Sequence, residues 1–271
     1  MPDIGLLNQE ETLRQIINIA NSVSVPIVAD VDTGYGGVTN VYRLVKQLIA
    51  AGVAGFCIED QQWPKKCGHF EGKAVIPMEE HVAKIKAAVV ARGDSGIVIC
   101  GRTDARAPLG LAEAIRRAKA YAEAGADVVF VEAPQSEDEL REIVNALPGV
   151  PLLVNFIEGG KTPMKYSVKK LEEMGFKIAM YSTAAVLAVQ YSLNMVYSTI
   201  RDHGHTAPVR DRMATFAEYR DLLDENQWNE LHEIPSEGTW SAERSRLHSP
   251  EARSPRVQKK FVESSSSDVI N

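Results

Sequence analysis

Cysteine is scarce in this chain: the 271 residues include three, at positions 57, 67 and 100. So small and odd a number argues against a disulfide scaffold and favours a reducing compartment. The sequence also lacks an apolar run long enough to cross a membrane and an apolar secretory segment at its start. We therefore expect a cytoplasmic protein with no membrane partner, or a mitochondrial one if the true N-terminus is longer.

Positive charge is also in short supply. Lysine and arginine number 30 against 36 aspartates and glutamates, which gives a net charge of −6. Binding to nucleic acid depends on a basic surface, so we expect no nucleic-acid partner. Hydrophobic residues make up 45% of the chain, enough for a substantial core in one large α/β domain or two small ones.

Short apolar segments alternate with helical patterns over most of the chain. The predicted strands are 25–31, 55–59, 96–102, 127–132, 151–155 and 177–181. The predicted helices run from a cap at Asn8, with Glu11 as its capping-box partner, to residue 21, and over 40–51, 77–91, 109–124, 136–147, 167–174 and 184–203. The first has Leu13, Ile16, Ile17 and Ala20 on its apolar face, and the second has Val41, Leu44, Val45 and Leu48 spaced for one buried stripe. This alternation is typical of a parallel sheet with both faces covered by helices.

The end of the first predicted strand carries two acids, Asp30 and Asp32, in the sequence VPIVADVDTGYGG. Side chains two residues apart on a strand share a face, so these carboxylates predict a site for a hard divalent cation such as Mg²⁺. The alternative is that one acid caps the next helix and the other is solvated.

Polar residues also follow the other strands. They are Glu59, Arg102 with Asp104, Glu132 and Asn155. In a closed barrel the carboxyl ends of the strands converge on one mouth, where catalytic residues lie. The alternative is that each acid caps its own helix, which Glu and Arg do poorly.

The long polar loop 60–76 holds a further candidate site, Lys65, Lys66, Cys67, Gly68 and His69. Two ammonium groups and an imidazole near a thiol predict a thiolate that acts as an acid/base or nucleophile. A bound cation, these lysines and Arg102 would attract a small anionic substrate, a di- or tricarboxylate or a phosphonate. The alternative is a solvent-facing basic loop with an incidental cysteine.

The remaining candidates are weaker. Cys57 and Cys100 lie inside apolar strands and are expected to be inert, and His81 is expected at the surface or in packing. The segment 159–162 lacks the frame of a phosphate-binding loop. Residues 208–234 predict one or two amphipathic helices whose apolar residues are Phe216, Tyr219, Leu222, Leu223, Trp228 and Leu231. From residue 235 the polar composition predicts a disordered tail.

Seven segments together resemble one known superfamily. They are ADVDTGYGG, IEDQ, WPKKCGH, GRTDA, VFVEAP, NFIEGGKTP and IAMYS, and their order and content are similar to the isocitrate lyase and phosphoenolpyruvate mutase superfamily. The resemblance covers residues 2–204. It implies an α/β fold, a (β/α)₈ TIM-type barrel, in a homo-oligomer, dimer or tetramer, that exchanges helix 184–203. The implied domains are a barrel over 1–204, a helical extension over 205–234 and the tail 235–271.

The resemblance also implies roles for individual residues. Asp30, Asp32 and Glu59 match a Mg²⁺ site, held partly through water, in which Mn²⁺ could substitute. The implied catalytic set is Cys67, Lys65, His69 and Arg102. The implied substrate-binding set is Asp3, Tyr35, Gly68, Glu132 and Asn155.

The implied activity is a Mg²⁺-dependent carbon–carbon lyase that cleaves a 2-hydroxy di- or tricarboxylate, of the methylisocitrate or dimethylmalate type, to a 2-keto acid and a carboxylate. The Cys-Gly-His segment favours the lyase and hydrolase branch, because the mutase branch lacks it. The alternatives are an oxaloacetate acetylhydrolase or a phosphonate mutase. The superfamily barrel has eight strands and six are predicted here, so the barrel is expected to lack its first two. A further alternative is therefore an inactive, truncated barrel that assembles with a full-length paralogue.

Overall fold

The computed structural model of the chain describes residues 1–163 and 165–232. The chain divides into two compact units, Met1–Val189 and Gln190–Asn271. The predicted tail, 235–271, lies outside the described residues. The domain boundary predicted at residue 204 stays a prediction.

Six parallel strands form one sheet in the first unit. They are β1 (Val28–Asp30), β2 (Gly55–Glu59), β3 (Val98–Thr103), β4 (Val128–Val131), β5 (Leu152–Phe156) and β6 (Ile178–Tyr181). Their order in the sheet is their order in the chain, and every neighbouring pair is parallel. The sequence predicted all six strands. It gave the bounds of β2 correctly and misplaced ends of the others by one to three residues.

Helices connect the strands and continue beyond them. They are α1 (Gln9–Ser22), α2 (Val38–Ala50), α3 (Met78–Arg92), α4 (Arg106–Leu109), α5 (Leu111–Glu123), α6 (Glu137–Ala146), α7 (Val168–Met174), α8 (Ala184–His203), α9 (Phe216–Leu222) and α10 (Glu225–His232), with a 3₁₀ turn at Ala207–Arg212. The short helix α4 and the 3₁₀ turn were not predicted. Within the part of the chain that the structure describes, no helix combines the length and apolar character needed to cross a bilayer.

The first helix begins at the predicted capping box. Asn8 Oδ1 accepts a hydrogen bond from Glu11 N at 3.1 Å, and Asn8 N donates to Glu11 Oε2 at 2.9 Å. The two bonds satisfy backbone and side-chain groups at the start of α1. Leu13 and Ile16 are buried as predicted, but Ile17 is 41% exposed. The predicted apolar stripe on α1 is therefore too wide.

The core lies on both faces of the sheet. On α2 the predicted stripe, Val41, Leu44, Val45 and Leu48, is buried in a cluster that includes residues of α1, β2 and β3. A second cluster joins α5, α6 and α7 to β4 and β5. Every residue of β4 and β5 is buried, as expected for central parallel strands.

The second unit contains the amphipathic helices that the sequence predicted, but their apolar residues are not buried within the chain. Phe216 is 76% exposed and Trp228 is 62% exposed. The other members of the predicted set, Tyr219, Leu222, Leu223 and Leu231, are also exposed. Periodicity therefore predicted the helices correctly, and their apolar residues are exposed.

Candidate active site

The two aspartates after β1 do not share a strand. The strand ends at Asp30, and Asp32 lies in the following loop with a left-handed φ of 50°. Their expected placement on one face of a strand is therefore wrong. Asp30 Oδ1 instead accepts a hydrogen bond from Asp32 N at 3.0 Å. Glu59 N donates to Asp32 O at 2.9 Å, so the loop still brings Asp32 beside the end of β2.

Glu59 is a buried carboxyl group without aligned hydrogen bonds. Neither of its side-chain oxygens has a hydrogen-bond partner among the described residues, although Arg102 Nη1 lies 3.2 Å from Oε2. Burial raises the pKa of the Glu59 carboxyl well above its ordinary value, and the charge of Arg102 opposes that shift. A buried carboxyl without a hydrogen bond is costly, so this position favours a bound cation or an ordered water.

Lys65 joins three segments of the chain at this mouth. Its ammonium group lies 2.6 Å from Asp32 Oδ1 and also forms an ion pair with Asp3. Burial lowers the pKa of Lys65, but the carboxylates around it outweigh that effect and the pKa is raised. Cys67 N donates to Asp3 O at 3.0 Å, so the backbone at Asp3 contacts the Cys67 segment, and the substrate-binding role of Asp3 stays a prediction.

Cys67 is a free cysteine and is half-buried. Burial raises the pKa of the thiol, and a hydrogen bond from the backbone of His69 offsets part of the shift. This direction is the opposite of the lowering that the lysines and the imidazole of the loop predicted. The reason is geometric: the Lys65 ammonium is held by carboxylates, and Lys66 Nζ donates to a backbone carbonyl in the same loop.

The ring of His69 bridges two loops. Lys161 N donates to His69 Nδ1 at 2.8 Å, and His69 Nε2 lies 3.1 Å from Glu132 Oε1. Because Nδ1 accepts a hydrogen bond, the neutral ring carries its proton on Nε2, which faces Glu132. The Nε2–Oε1 pair is close but not aligned as a hydrogen bond, and within the described part of the chain both atoms are buried without another partner.

Arg102 is at the centre of the site. Its Nε lies 2.8 Å from Asp104 Oδ2 and its Nη2 lies 3.2 Å from Asp104 Oδ1. The same guanidinium lies 3.1 Å from Glu132 Oε2 and 5.2 Å from the centre of the Phe130 ring. Burial lowers the pKa of Arg102, but the surrounding carboxylates raise it well above the ordinary value. The planar fork is thus fixed by three carboxylates, those of Glu59, Asp104 and Glu132.

Gly68 lies directly against Glu132. A Cβ atom added at Gly68 would lie 2.5 Å from Glu132 Cγ and 2.6 Å from Oε2, much closer than atoms without a bond can lie. The glycine at position 68 therefore allows the loop to pack against Glu132, and the substrate-binding role of Gly68 stays a prediction.

Two predicted substrate-binding residues make other contacts. Tyr35 OH donates to Thr12 Oγ1 on α1 at 2.9 Å, and Asn155 Oδ1 accepts a hydrogen bond from Ser182 Oγ at 3.0 Å. Asn155 lies at the carboxyl end of β5 and is buried. The substrate roles of both residues stay predictions.

Three buried residues behind the site were missed by sequence reasoning or given no role. Lys73 Nζ lies 2.9 Å from Asp104 Oδ1, and it also donates to Gly68 O. Asp60 Oδ1 accepts a hydrogen bond from Asp104 N at 2.8 Å. The available signals were weak: Asp104 and Asp60 follow strands, and Lys73 lies in the long loop.

The strand-end acids do not cap the next helices. The hydroxyl groups of Ser136 and Ser167 cap α6 and α7, and α2 and α3 begin after Gly37 and Pro77. The capping alternative is therefore wrong, because these acids contact the cationic side chains of the site instead.

The donor set is suited to a hard cation, but not to a directly coordinated one. Among the residues that the structure describes, no group of three or more His, Cys, Asp or Glu side chains is placed to bind a metal ion. The oxygens of Glu59 that lack partners, with Asp30 and Asp32 nearby in the chain, fit Mg²⁺ held partly through water. Mg²⁺ commonly retains several waters in proteins.

Residues 1–201 match the family model described as phosphoenolpyruvate phosphomutase. The chain is similar to the chloroplastic carboxyvinyl-carboxyphosphonate phosphorylmutase of Arabidopsis thaliana, with 47% identity over 236 residues, which are 85% of this chain and 68% of the relative. It is also similar to 2,3-dimethylmalate lyase of Eubacterium barkeri, with 41% identity over 222 residues, which are 82% of this chain and 76% of the relative.

The fold is similar to a solved structure of oxaloacetate acetylhydrolase in complex with the inhibitor 3,3-difluorooxalacetate. The TM-score is 0.80 at 33% identity, and the match covers 85% of this chain and 78% of that chain. This likeness confirms the predicted barrel class, of which the structure contains six strands. The chain therefore belongs to the phosphoenolpyruvate mutase and isocitrate lyase superfamily.

Proposed function

We propose that this protein is a Mg²⁺-dependent carbon–carbon lyase that cleaves a 2-hydroxy di- or tricarboxylate to a 2-keto acid and a carboxylate. The observation that carries the proposal is the position of the Cys67 segment. Gly68 lies against Glu132, and Glu132 forms an ion pair with Arg102 at 3.1 Å. The Cys67 thiol therefore lies next to Gly68, which is connected to the buried Arg102 guanidinium through Glu132.

The charges of the site support a role for the cation. The carboxylates of Glu59, Asp104 and Glu132 surround Arg102, and the buried Lys73 is a second cation paired with Asp104. Lys65 is likewise shared by two aspartates. An anionic substrate would be repelled by this excess of acid, so its binding calls for a divalent cation near Asp30, Asp32 and Glu59. When bound, Mg²⁺ supplies Lewis-acid polarisation of substrate oxygens.

The residues of the chain divide the remaining work. Arg102 offers N–H donors to a substrate carboxylate and stabilises the negative charge that develops when the carbon–carbon bond breaks. As the 2-keto group forms, the hydroxyl proton of the substrate passes to a carboxylate of the site, and the electron pair of the broken carbon–carbon bond is left on the other fragment as an enolate. The Cys67 thiol then donates its proton to the carbon of that enolate. The raised pKa of Cys67 suits this role, because a general acid must hold its proton before the step. His69 and Glu132 hold the loop beside Arg102.

The test is release of a 2-keto acid. Purified protein with Mg²⁺ is supplied with methylisocitrate, dimethylmalate and related 2-hydroxy acids, and product is measured with a coupled dehydrogenase. Cys67→Ser should lose at least about 100-fold in kcat and keep its unfolding transition. If Cys67→Ser keeps full activity, the role of Cys67 is wrong. If no candidate is cleaved and calorimetry detects no Mg²⁺ binding, the inactive-barrel alternative is favoured instead.

A second candidate is an oxaloacetate hydrolase. The similarity to the oxaloacetate acetylhydrolase structure, at 33% identity and a TM-score of 0.80, supports it. The two candidates differ in their products. Oxaloacetate consumed with formation of oxalate and acetate identifies the hydrolase, whereas a 2-keto acid from a 2-hydroxy acid identifies the lyase.

The assembly and the compartment are also proposals. We expect a dimer or tetramer that exchanges α8, because large apolar side chains on that helix are exposed in the single chain. They are Val186, Leu187, Val189, Tyr191, Leu193, Tyr197 and Ile200. Light scattering that gives the mass of one chain would contradict this. The proposed cytoplasmic location is tested by imaging the tagged full-length protein.

A further inference from the structure

Lys73 is a buried lysine whose ammonium group contacts two different parts of the site. Its side chain is 1% exposed. Its Nζ lies 2.9 Å from Asp104 Oδ1 after β3, and it donates a second hydrogen bond to the backbone carbonyl of Gly68. A buried ammonium group needs partners for its N–H groups, and here they come from a rigid strand end and from a loop.

The same loop has a second attachment on its other side. The His69 ring lies 3.1 Å from Glu132, and Glu132 lies 3.1 Å from Arg102. Arg102 in turn binds Asp104 through two hydrogen bonds. The contacts therefore form a closed ring, in which Gly68 is tied through Lys73 and Asp104 to Arg102, and His69 is tied through Glu132 to the same guanidinium.

We propose that Lys73 is a positioning residue that holds the Cys67–His69 segment at a fixed distance from Arg102. The catalytic role of this segment rests on the proposed function, whereas its attachment through Lys73 does not. Lys73 does not reach the mouth itself, because it is covered on all sides. It acts through Gly68 O, the carbonyl next to Cys67, and through Asp104, which orients Arg102.

The ammonium group does more than balance charge. Asp104 already has the Arg102 guanidinium as a bidentate partner, so loss of Lys73 leaves that carboxylate paired. What is lost is the hydrogen bond to Gly68 O, which no other side chain in this ring of contacts makes. Removal of Lys73 should therefore release the loop locally while the sheet keeps its structure.

Alkylation of Cys67 by iodoacetamide tests this at fixed pH without any substrate. The variant Lys73→Met removes the ammonium group and keeps the length of the side chain. Lys66→Met is the matched control, because Lys66 is on the same loop. Its Nζ donates a solvent-exposed hydrogen bond of 3.0 Å to Gly72 O. Rates are measured for each cysteine by peptide mass spectrometry, and folding is followed by circular dichroism and urea unfolding.

We expect alkylation of Cys67 to rise about tenfold in Lys73→Met and less than about twofold in Lys66→Met, with Cys57 and Cys100 unchanged in both. A merely structural role would raise the rates at all three cysteines together. A Cys67 rate within twofold of wild type in folded Lys73→Met, or an equal rise at all three, would overturn the proposal.

If Lys73→Met does not fold, Lys73→Leu takes its place, because its side chain also lacks an N–H donor to Gly68 O and needs less room. The same criteria then apply: a selective rise at Cys67 supports the tether, and no selective rise overturns it. In an enzyme that cleaves a candidate substrate, Lys73→Met should also lower kcat about tenfold with a change in KM below about threefold. Absence of activity in the wild type refutes the proposed function and leaves the alkylation result intact.

Discussion

Arg102 and Asp104 form a bidentate ion pair in the interior of the first unit, with Nε–Oδ2 and Nη2–Oδ1 distances of 2.8 and 3.2 Å. The Arg102 side chain is 9% exposed and that of Asp104 is fully buried. The pair is therefore shielded from solvent and depends on mutual compensation of charge.

Removal of this guanidinium should destabilise the protein in a pH-dependent way. Arg102→Met leaves Asp104, Glu59 and Glu132 with less compensation, so we expect a loss of about 3–5 kcal/mol in unfolding free energy at pH 7. Burial raises and Arg102 lowers the pKa of Asp104, with a net lowering. Without Arg102 the buried carboxyls take up protons, so the deficit should shrink from pH 7 to pH 5.

Urea unfolding of wild type and variant at both pH values measures this. Arg141→Met is the control, because Arg141 pairs with Glu137 at the surface and its loss should cost less than about 1 kcal/mol. A deficit of equal size at pH 7 and pH 5 would contradict the assignment.

Mg²⁺ should stabilise the folded protein through Glu59. A ligand present at 100 times its Kd adds about 2.7 kcal/mol to the unfolding free energy, so the thermal midpoint should rise with added Mg²⁺ or Mn²⁺. Glu59→Gln should abolish the rise, whereas Glu142→Gln, at an exposed position, should keep it. Because burial raises the pKa of Glu59, protons compete and the effect should weaken as the pH falls. A midpoint that does not respond to either metal excludes the site.

Alkylation of Cys67 should be slow at neutral pH. Burial raises the pKa of the thiol above the ordinary value of about 8.5, so the thiolate fraction at pH 7 should be below about 5%. The measurement is the iodoacetamide rate at Cys67 in wild type between pH 6 and 10, located by peptide mass spectrometry. We expect a midpoint above about pH 8.5. A midpoint below about 7.5 would restore the thiolate that the lysines of the loop predicted.

Local patterns determined much of what the sequence could predict. The stripe on α2 and the run of β-branched residues in β4 depend on periods of a few residues, so both were predicted correctly. The meeting of Glu59 and Arg102 also follows from local pattern, because adjacent parallel strands end at the same edge.

Long-range geometry determined what could not be predicted. The state of Cys67 depends on where the Lys65 ammonium points, and Asp32 and Asp3 decide that from distant segments. The contact of Lys73 with Asp104 joins residues that are 31 positions apart, and no sequence pattern predicts how the loop that holds Lys73 folds. The exposure of Phe216 on α9 could not be predicted from periodicity either. Periodicity identifies the apolar face of a helix but does not show what that face packs against.

Tyr121 should stabilise the folded protein through its hydrogen bond to Asp60, a buried residue that also binds the backbone of Asp104. Its hydroxyl donates to Asp60 Oδ2 at 2.7 Å in the interior, and Asp60 Oδ1 holds the backbone of Asp104. Tyr121→Phe removes one of the donors to a buried carboxylate, so we expect a loss of about 1–3 kcal/mol by urea unfolding. Tyr166→Phe, which removes a half-buried bond to Glu137, should cost less than about 1 kcal/mol. Equal losses in the two variants would show that burial of the Asp60 bond adds nothing.

His81 should make the stability of the protein fall in mild acid. Its ring is fully buried with its centre 4.6 Å from that of Tyr121, so the predicted packing role is confirmed and the surface alternative is wrong. Burial, followed by the charges of Lys84 and Arg117, lowers the pKa of His81 to about 3. The unfolded chain takes up this proton near pH 6.5, whereas the folded protein does not until about pH 3.

Between these values the unfolded state binds more protons, so stability rises with pH and His81 costs about 2 kcal/mol at pH 5 relative to pH 7.5. His81→Leu should remove that part of the slope in urea unfolding measured from pH 7.5 to 5. His203→Leu, at an exposed position near the end of α8, should keep the wild-type slope. The slopes are compared as differences, because buried carboxyls contribute to all three proteins alike. If the unfolding free energy of His81→Leu and of wild type falls by the same amount over this range, the buried ring accepts its proton at the same pH as in the unfolded chain. That result would contradict the lowered pKa of His81.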